Sequence, residues 1–160
     1  KRLIMRQTLI SEPVPIPKNR PILLIVDPND IDYIWEDVEP LIDIALSYSN
    51  GELLSQDVRR MVMTEQQTLW VGLKDGEIFC AGTTEIVTYP RKKLLRVITF
   101  ATKNGHDYEY WKSFEEVIEG FAIRRECSAL EAWTRKGLAK KLDWDHEYSV
   151  ITKDIKDKWQ

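Results

Sequence analysis

Cysteine and histidine are the side chains best suited to metal binding and nucleophilic chemistry, and this sequence contains only two of each. Cys80 and Cys127 are distant in the sequence and form no C-x-x-C motif, and His106 and His146 lack the spacing of a metal site. No histidine or asparagine spacing marks either cysteine as a nucleophile, so both are expected to behave as small buried hydrophobic residues. The sequence therefore predicts neither a metal centre nor a disulfide scaffold.

A basic segment is the second group of residues with chemical potential. No acid interrupts its five cations, which are Arg91, Lys92, Lys93, Arg96 and Lys103. The segment is either a solvated hairpin or a surface that faces an acidic partner. The sequence leaves both interpretations open, and Arg91, Lys92 and Lys93 are candidates for contact with a partner.

These residues belong to a single domain, residues 22–160, that follows an arm at residues 1–21. The arm carries five basic side chains, one acidic side chain and four of the seven prolines, so we expect it to be extended. The rest has the length and composition of one soluble domain and contains no apolar run long enough to span a membrane. A net charge of -3 gives no overall positive potential that would attract the phosphate backbone of a nucleic acid.

The apolar pattern predicts ten elements in the order β-α-α-β-β-β-α-β-α-β. The strand–helix–strand step across residues 94–134 implies a parallel pair, and hence a mixed α+β sheet. Pro40 is expected to kink or split the first helix. The four tryptophans that lie within elements, Trp35, Trp70, Trp111 and Trp133, are expected in the core. The predicted strands are 22–26, 68–73, 78–89, 94–102, 129–134 and 148–155, and the predicted helices begin at Ile31, Ser55, Asp107 and Gly137.

Four short stretches characterise this order of elements. They are IWEDVEP at 34–40, LWV at 69–71, TEIVTYPR at 84–91 and WTRKGL at 133–138. Together with the order they resemble the GCN5-related N-acetyltransferase (GNAT) fold over residues 22–155, and more narrowly a small GNAT-like family encoded by tailed bacteriophages. The resemblance implies a mixed sheet that opens between its central strands to admit acetyl-coenzyme A.

The resemblance also implies a glycine-rich loop before the long helix, where backbone amides and the helix dipole receive the pyrophosphate of acetyl-CoA. The corresponding stretch here, residues 101–109, has a single glycine, and its Asp107 and Glu109 repel phosphate. The other interpretation is that Asp107 only caps the helix and Gly105 only ends the strand. The candidate cofactor-binding residues are Lys103, Asn104, Gly105 and His106.

A general base and a general acid are further implications of the resemblance. Glu85 or Glu131, each on a predicted strand, would remove the proton of a substrate ammonium through water, and Tyr148 would protonate the leaving thiolate. The alternative for the two glutamates is a paired or edge-exposed strand carboxylate. The alternative for Tyr148 is an ordinary strand aromatic.

Two functions follow from these interpretations. The preferred one is a virion-associated scaffold with a degenerate acetyl-CoA site and no cofactor, placed around the head or the head-to-tail region of a phage. The alternative is an active acetyl-CoA-dependent N-acetyltransferase that modifies an amine of a small molecule or a protein. The expected location is the virion or the host cytoplasm.

The expected partners are neighbouring protein chains, in an oligomer or a phage particle, without metal or membrane. The arm is the predicted contact, because its alternating segment can add a strand to an open sheet edge, in cis or in trans. Its candidate residues are Arg2, Leu3, Ile4, Met5, Arg6, Leu9 and Ile10.

Overall fold

A computed structural model describes residues 22–105, 107–133 and 136–155. The arm lies outside these ranges, and with it the predicted contact residues from Arg2 to Ile10. His106 lies outside them as well. The predicted roles of these residues therefore stay predictions.

The described elements follow the predicted order as far as the last helix. Asp27 caps a turn of 3-10 helix at Pro28–Asp30 that leads into the first long helix, and its side chain accepts a hydrogen bond from the amide of Asn29 at 2.9 Å. The strands are β1 (Ile22–Ile25), β2 (Thr68–Lys74), β3 (Glu77–Thr88), β4 (Lys93–Thr102) and β5 (Ala129–Ala132). The helices are α1 (Ile31–Leu46), α2 (Ser55–Met63), α3 (Asp107–Arg124) and α4 (Lys136–Leu142).

The five described strands form one mixed sheet in the order β1-β2-β3-β4-β5. The first four pair antiparallel, and β4 pairs with β5 in parallel, as the strand–helix–strand step predicts. Helices α1 and α2 pack on one face of the sheet, where Val38, Ile42 and Val58 are buried among residues of β1 to β4. Helix α3 covers the other face. The predicted mixed α+β fold is therefore confirmed.

Trp70 is the centre of the core beneath α3. Its ring makes edge contacts with Phe114 and Phe121 at centroid distances of 6.1 and 5.2 Å. Its buried indole N–H donates to Oγ1 of Thr84 at 2.9 Å, so the polar atom of this large side chain is satisfied inside the core.

Two local predictions differ from the structure, the first of them in part. Pro40 does not split α1, which is continuous from Ile31 to Leu46 with its buried face on the sheet, and a kink at Pro40 stays a prediction. The predicted last strand at 148–155 is wrong, since this segment has no regular secondary structure and its side chains are exposed. Alternating residues form a strand only where a neighbouring strand and an apolar surface receive them, and Val150 next to Ile151 already interrupts the alternation.

Candidate functional site

Strands β4 and β5 part at the end of the sheet where α3 begins. Their pairing covers only Leu94–Val97 and Ala129–Ala132, whereas β4 continues to Thr102. Ile98 forms a bulge at this point, because Thr99 pairs with Thr83 while Val97 pairs with the next residue, Thr84. The bulge lies where the pairing with β5 ends, and beyond it β4 has no described partner on the β5 side. We call this unpaired end of the two strands the cleft.

The turn after β4 lies at the open end of this cleft and contains the predicted cofactor residues. Lys103, Asn104 and Gly105 are exposed, and the amide of Lys103 donates to the carbonyl of Phe79 at 2.9 Å. Gly105 has a φ of +68°, which glycine adopts without strain. The turn therefore places a helix N-terminus and one lysine beside the cleft.

Glu85, Arg96 and Glu131 form a row across three neighbouring strands. Arg96 is the pairing partner of Glu85 on β3 and of Glu131 on β5. Its Nε donates to Oε1 of Glu131 at 2.6 Å, and the indole N–H of Trp133 donates to the same oxygen at 3.1 Å. The Arg96 guanidinium also lies 4.3 Å from the centroid of the Trp133 ring. Glu131 is thus a paired strand carboxylate.

Glu85 lies on β3, two strands away from β5. Its Oε1 accepts a hydrogen bond from Nε2 of Gln66 at 3.3 Å, and its side chain lines a cavity beside the end of β1 and the start of β2. Arg96 stands between Glu85 and Glu131 in the row. The structure therefore does not bring the two candidate bases to one point, and their catalytic roles stay predictions.

Tyr148 is 78% exposed and lies in the irregular segment after α4. The strand that was to present it at the cleft is not formed. Its proposed role as the acid stays a prediction without a supporting element. Trp133, which was expected in the core, is 70% exposed and stacks on Arg96 instead.

The β3–β4 turn holds the predicted basic contact residues. Arg91 and Lys92 are exposed, and the carbonyl of Lys92 accepts from the amide of Tyr89 at 2.7 Å. Lys93 is half-buried, and its carbonyl accepts from the amide of Ser128 at 2.8 Å, which joins this turn to the start of β5. Contact of the three basic residues with a partner stays a prediction.

The two cysteines lie in different parts of the fold. Cys80 is buried in β3, and Cys127 is half-buried just before β5. Burial raises the pKa of the Cys127 thiol, and the positive charges of Lys93 and Arg125 offset part of this rise. A thiol whose pKa is raised is a weak nucleophile at neutral pH.

The described part of the chain contains neither a metal-binding group of side chains nor a helix that could cross a membrane. Its His, Cys, Asp and Glu side chains form no group of three or more that could hold a metal ion. Among the same residues, no helix combines the length and the apolar character that a membrane span needs.

Comparison with known proteins identifies the fold. The sequence itself matches no protein family and no curated protein. A GNAT family acetyltransferase from Staphylococcus aureus is similar at a TM-score of 0.59 and 13% identity, over 84% of this chain and 98% of that one. A predicted acetyltransferase with acetyl-CoA from Clostridium acetobutylicum is similar at a TM-score of 0.63 and 9% identity, over 87% of this chain and 99% of that one. The chain therefore has the GNAT acetyltransferase fold.

Proposed function

We propose that this chain is a GNAT-fold docking protein of a phage particle, around the head or the head-to-tail region, and that it does not catalyse acetyl transfer. The observation that carries the proposal is the exposed apolar segment after α4. Among the described strands, β5 pairs only with β4. The segment that follows α4 exposes four large apolar side chains, which are Tyr148, Val150, Ile151 and Ile155. A surface of this kind favours contact with another protein.

Charge indicates which segment docks there. Residues 143–155 contain four acidic side chains and one lysine, whereas the arm at 1–21 contains five basic side chains and one acidic one. Opposite charge steers the two segments together, and both carry apolar residues with strand character. The occupant that we propose for the β5 side is therefore the basic arm, with strand addition by residues 2–10.

The arm is proposed to come from a neighbouring copy of the chain. It leads into β1, which lies at the opposite edge of the sheet from β5. Four of the eleven residues between Ile10 and Ile22 are prolines, which favour an extended, semi-rigid spacer. A spacer of this composition favours contact in trans over return in cis.

Poor complementarity to acetyl-CoA supports the non-catalytic part of the proposal. Residues 101–109 include a single glycine, and the sequence starts α3 with Asp107 and Glu109, whose charge opposes a diphosphate. The amide of Lys103 is already bonded within the sheet. Oε1 of Glu131 already accepts hydrogen bonds from Arg96 and Trp133, so this oxygen is occupied within the fold. We propose that the acetyl-CoA site is degenerate.

An acetyl-CoA-dependent N-acetyltransferase is the second candidate, and the divergence of β4 and β5 favours it. The cleft opens beside the N-terminus of an 18-residue helix, which attracts an anion. In this case Glu85 or Glu131 would act as base and Tyr148 as acid, on an amine acceptor.

Light scattering on the full chain tests the proposal that the arm docks on a neighbouring copy. We expect a mass above that of one chain, falling towards one chain as salt is added, because the contact pairs opposite charges. Arg2→Glu with Arg6→Glu is expected to give a single chain, whereas Lys112→Glu, on an exposed position of α3, leaves the assembly intact. A full chain that stays monomeric at every concentration, or arm variants that assemble as the unchanged protein does, would contradict the proposal.

Mass spectrometry of purified particles tests the proposed location in a phage particle. Particles from a phage that encodes this chain should contain it in a fixed ratio to the head proteins. Its absence from intact particles would refute the assignment to the virion.

A further inference from the structure

Two Asn-Gly pairs lie in exposed turns that the structure describes. Asn50-Gly51 lies between α1 and α2, and Asn104-Gly105 lies between β4 and α3. Asparagine is a thermolabile residue, and a following glycine, which has no Cβ, lets its own backbone nitrogen approach the asparagine side chain. Both glycines have a positive φ, and a Cβ added to either would meet nothing within 4 Å. Sequence and local space therefore make the two pairs equivalent.

The reaction open to such a pair is deamidation, and its only co-reactant is water. The backbone nitrogen of the glycine loses its proton and attacks Cγ of the asparagine, so a new C–N bond closes a succinimide ring. The bond between Cγ and Nδ2 breaks, and Nδ2 leaves as ammonia with the proton. Water then opens the ring, because its hydroxyl adds to one of the two ring carbonyls and its proton returns to the backbone nitrogen. The products are aspartate and isoaspartate.

Hydrogen bonds restrain the first pair. The amide of Gly51 donates to Oγ of Ser49 at 3.4 Å, so the nitrogen that must attack is already engaged. The amide of Asn50 donates to Oε2 of Glu52 at 2.9 Å, which holds the backbone of Asn50 and places a carboxylate beside the pair. A nearby negative charge opposes the loss of a proton from the glycine amide. The fold therefore protects Asn50.

The second pair lacks these restraints. Its turn is held at the start, where the amide of Lys103 donates to the carbonyl of Phe79 at 2.9 Å. Among the residues that the structure describes, none accepts a hydrogen bond from the amide of Gly105, and none bonds to the side chain of Asn104. Asn104 and Gly105 are both exposed, so water reaches the reacting atoms.

We infer that Asn104 is a site of spontaneous deamidation and that it reacts faster than Asn50, although both precede a glycine. The product adds a negative charge to the turn between β4 and α3, next to Lys103. The isoaspartate form also inserts an extra backbone carbon into this turn. The added charge opposes an anion at the N-terminus of α3, so the modification lowers the affinity of this turn for a diphosphate.

Peptide mapping by mass spectrometry tests the inference on the full chain, which is incubated at mildly alkaline pH and sampled over time. Deamidation raises the mass of a peptide by the difference between a hydroxyl and an amino group. Free peptides of residues 47–55 and 101–109 are the references, because they keep the neighbouring residues and lack the fold. The rate in the folded chain, divided by the rate in the matching peptide, is expected to be about fivefold higher at Asn104 than at Asn50.

Three variants separate the effect of the fold from that of the sequence. Glu52→Ala removes the restraint on the first pair, so it is expected to speed deamidation at Asn50 and to leave the rate at Asn104 unchanged. Asn104→Gln keeps an amide but must close a larger ring, so the acidic species that ion-exchange chromatography resolves in the aged chain should disappear. Asn50→Gln is the matched control and should retain that species. Thermal unfolding shows that each variant is folded.

Several results would overturn the inference. They are equal normalised rates at the two pairs, an Asn104 that stays unmodified while its peptide reacts, and a rate at Asn50 that Glu52→Ala does not raise. None of them depends on whether the chain docks on a neighbour or transfers an acetyl group.

Discussion

Nε of Arg96 lies 2.6 Å from Oε1 of Glu131, and the two residues are direct neighbours on the parallel strands β4 and β5. The pair stands one residue before the last pairing of these strands, Val97 with Ala132. The ion pair therefore stabilises the attachment of β5 to β4 close to the point where their pairing ends. The same contact occupies the carboxylate that the sequence offers as a general base.

Glu131→Gln tests the structural role of this pair. The side chains of Arg96 and Glu131 are only 15% and 25% exposed, so loss of the carboxylate leaves a poorly hydrated cation. We expect the free energy of unfolding to fall by about 2 kcal/mol in a urea titration. Arg60→Ala, which removes an exposed pair with Asp57 at 3.7 Å, is the control and should cost under about 0.5 kcal/mol. Equal effects of the two substitutions would refute the assigned role.

Gly82→Ala is expected to destabilise the sheet strongly. A Cβ at this position would lie 2.8 Å from the carbonyl oxygen of Thr99, a backbone atom of the paired strand that cannot move aside. We expect the free energy of unfolding to fall by about 2 kcal/mol or more. Gly120→Ala in α3 meets only the flexible end of Arg124 at 3.4 Å, and is expected to stabilise by up to about 1 kcal/mol. Thermal unfolding of both variants distinguishes them, and a neutral Gly82→Ala variant would show that the strands lie further apart.

Thr84→Val tests the hydrogen bond at the centre of the core. Valine keeps the shape of threonine but leaves the buried indole N–H of Trp70 without its acceptor at 2.9 Å. We expect a loss of about 1–3 kcal/mol in unfolding free energy. Thr84→Ser keeps the hydroxyl, so it should retain most of the hydrogen-bond energy and lose only the packing of one methyl group. A serine variant less stable than the valine variant would contradict this interpretation.

The raised pKa of Cys127 predicts a pH dependence. Burial disfavours the thiolate, so the folded chain holds this proton more tightly than the unfolded chain does. The thiol's contribution to stability is therefore fully present below the ordinary thiol pKa, and it falls as the pH rises through the alkaline range. Alkylation by iodoacetamide should be slower at Cys127 than in a short peptide at the same pH, and mass spectrometry reads it out. Alkylation as fast as in the peptide would contradict the raised pKa.

The sequence predicts most of the fold because the signals for its elements are local. The apolar face of α1, the Asp75-Gly76 turn and the strand–helix–strand step each need only neighbouring residues to be recognised. The last strand could not be judged this way, because alternation at 148–155 says nothing about whether a neighbouring strand receives it. Trp133 was misplaced for the same reason, since its neighbour Arg96 is distant in the sequence.

The candidate site is less predictable than the fold. Glu131 and Glu85 are both strand carboxylates in the sequence, and only the sheet register gives Arg96 as the partner that separates them.

Calorimetric titration of the full chain with acetyl-CoA tests the central claim most directly. A docking protein with a degenerate site is expected to give no saturable heat up to about 1 mM acetyl-CoA. A preparation that unfolds cooperatively on heating shows that the absence of heat is not a failure to fold. Saturable binding with a dissociation constant of about 10 µM or tighter would contradict the account and favour the N-acetyltransferase.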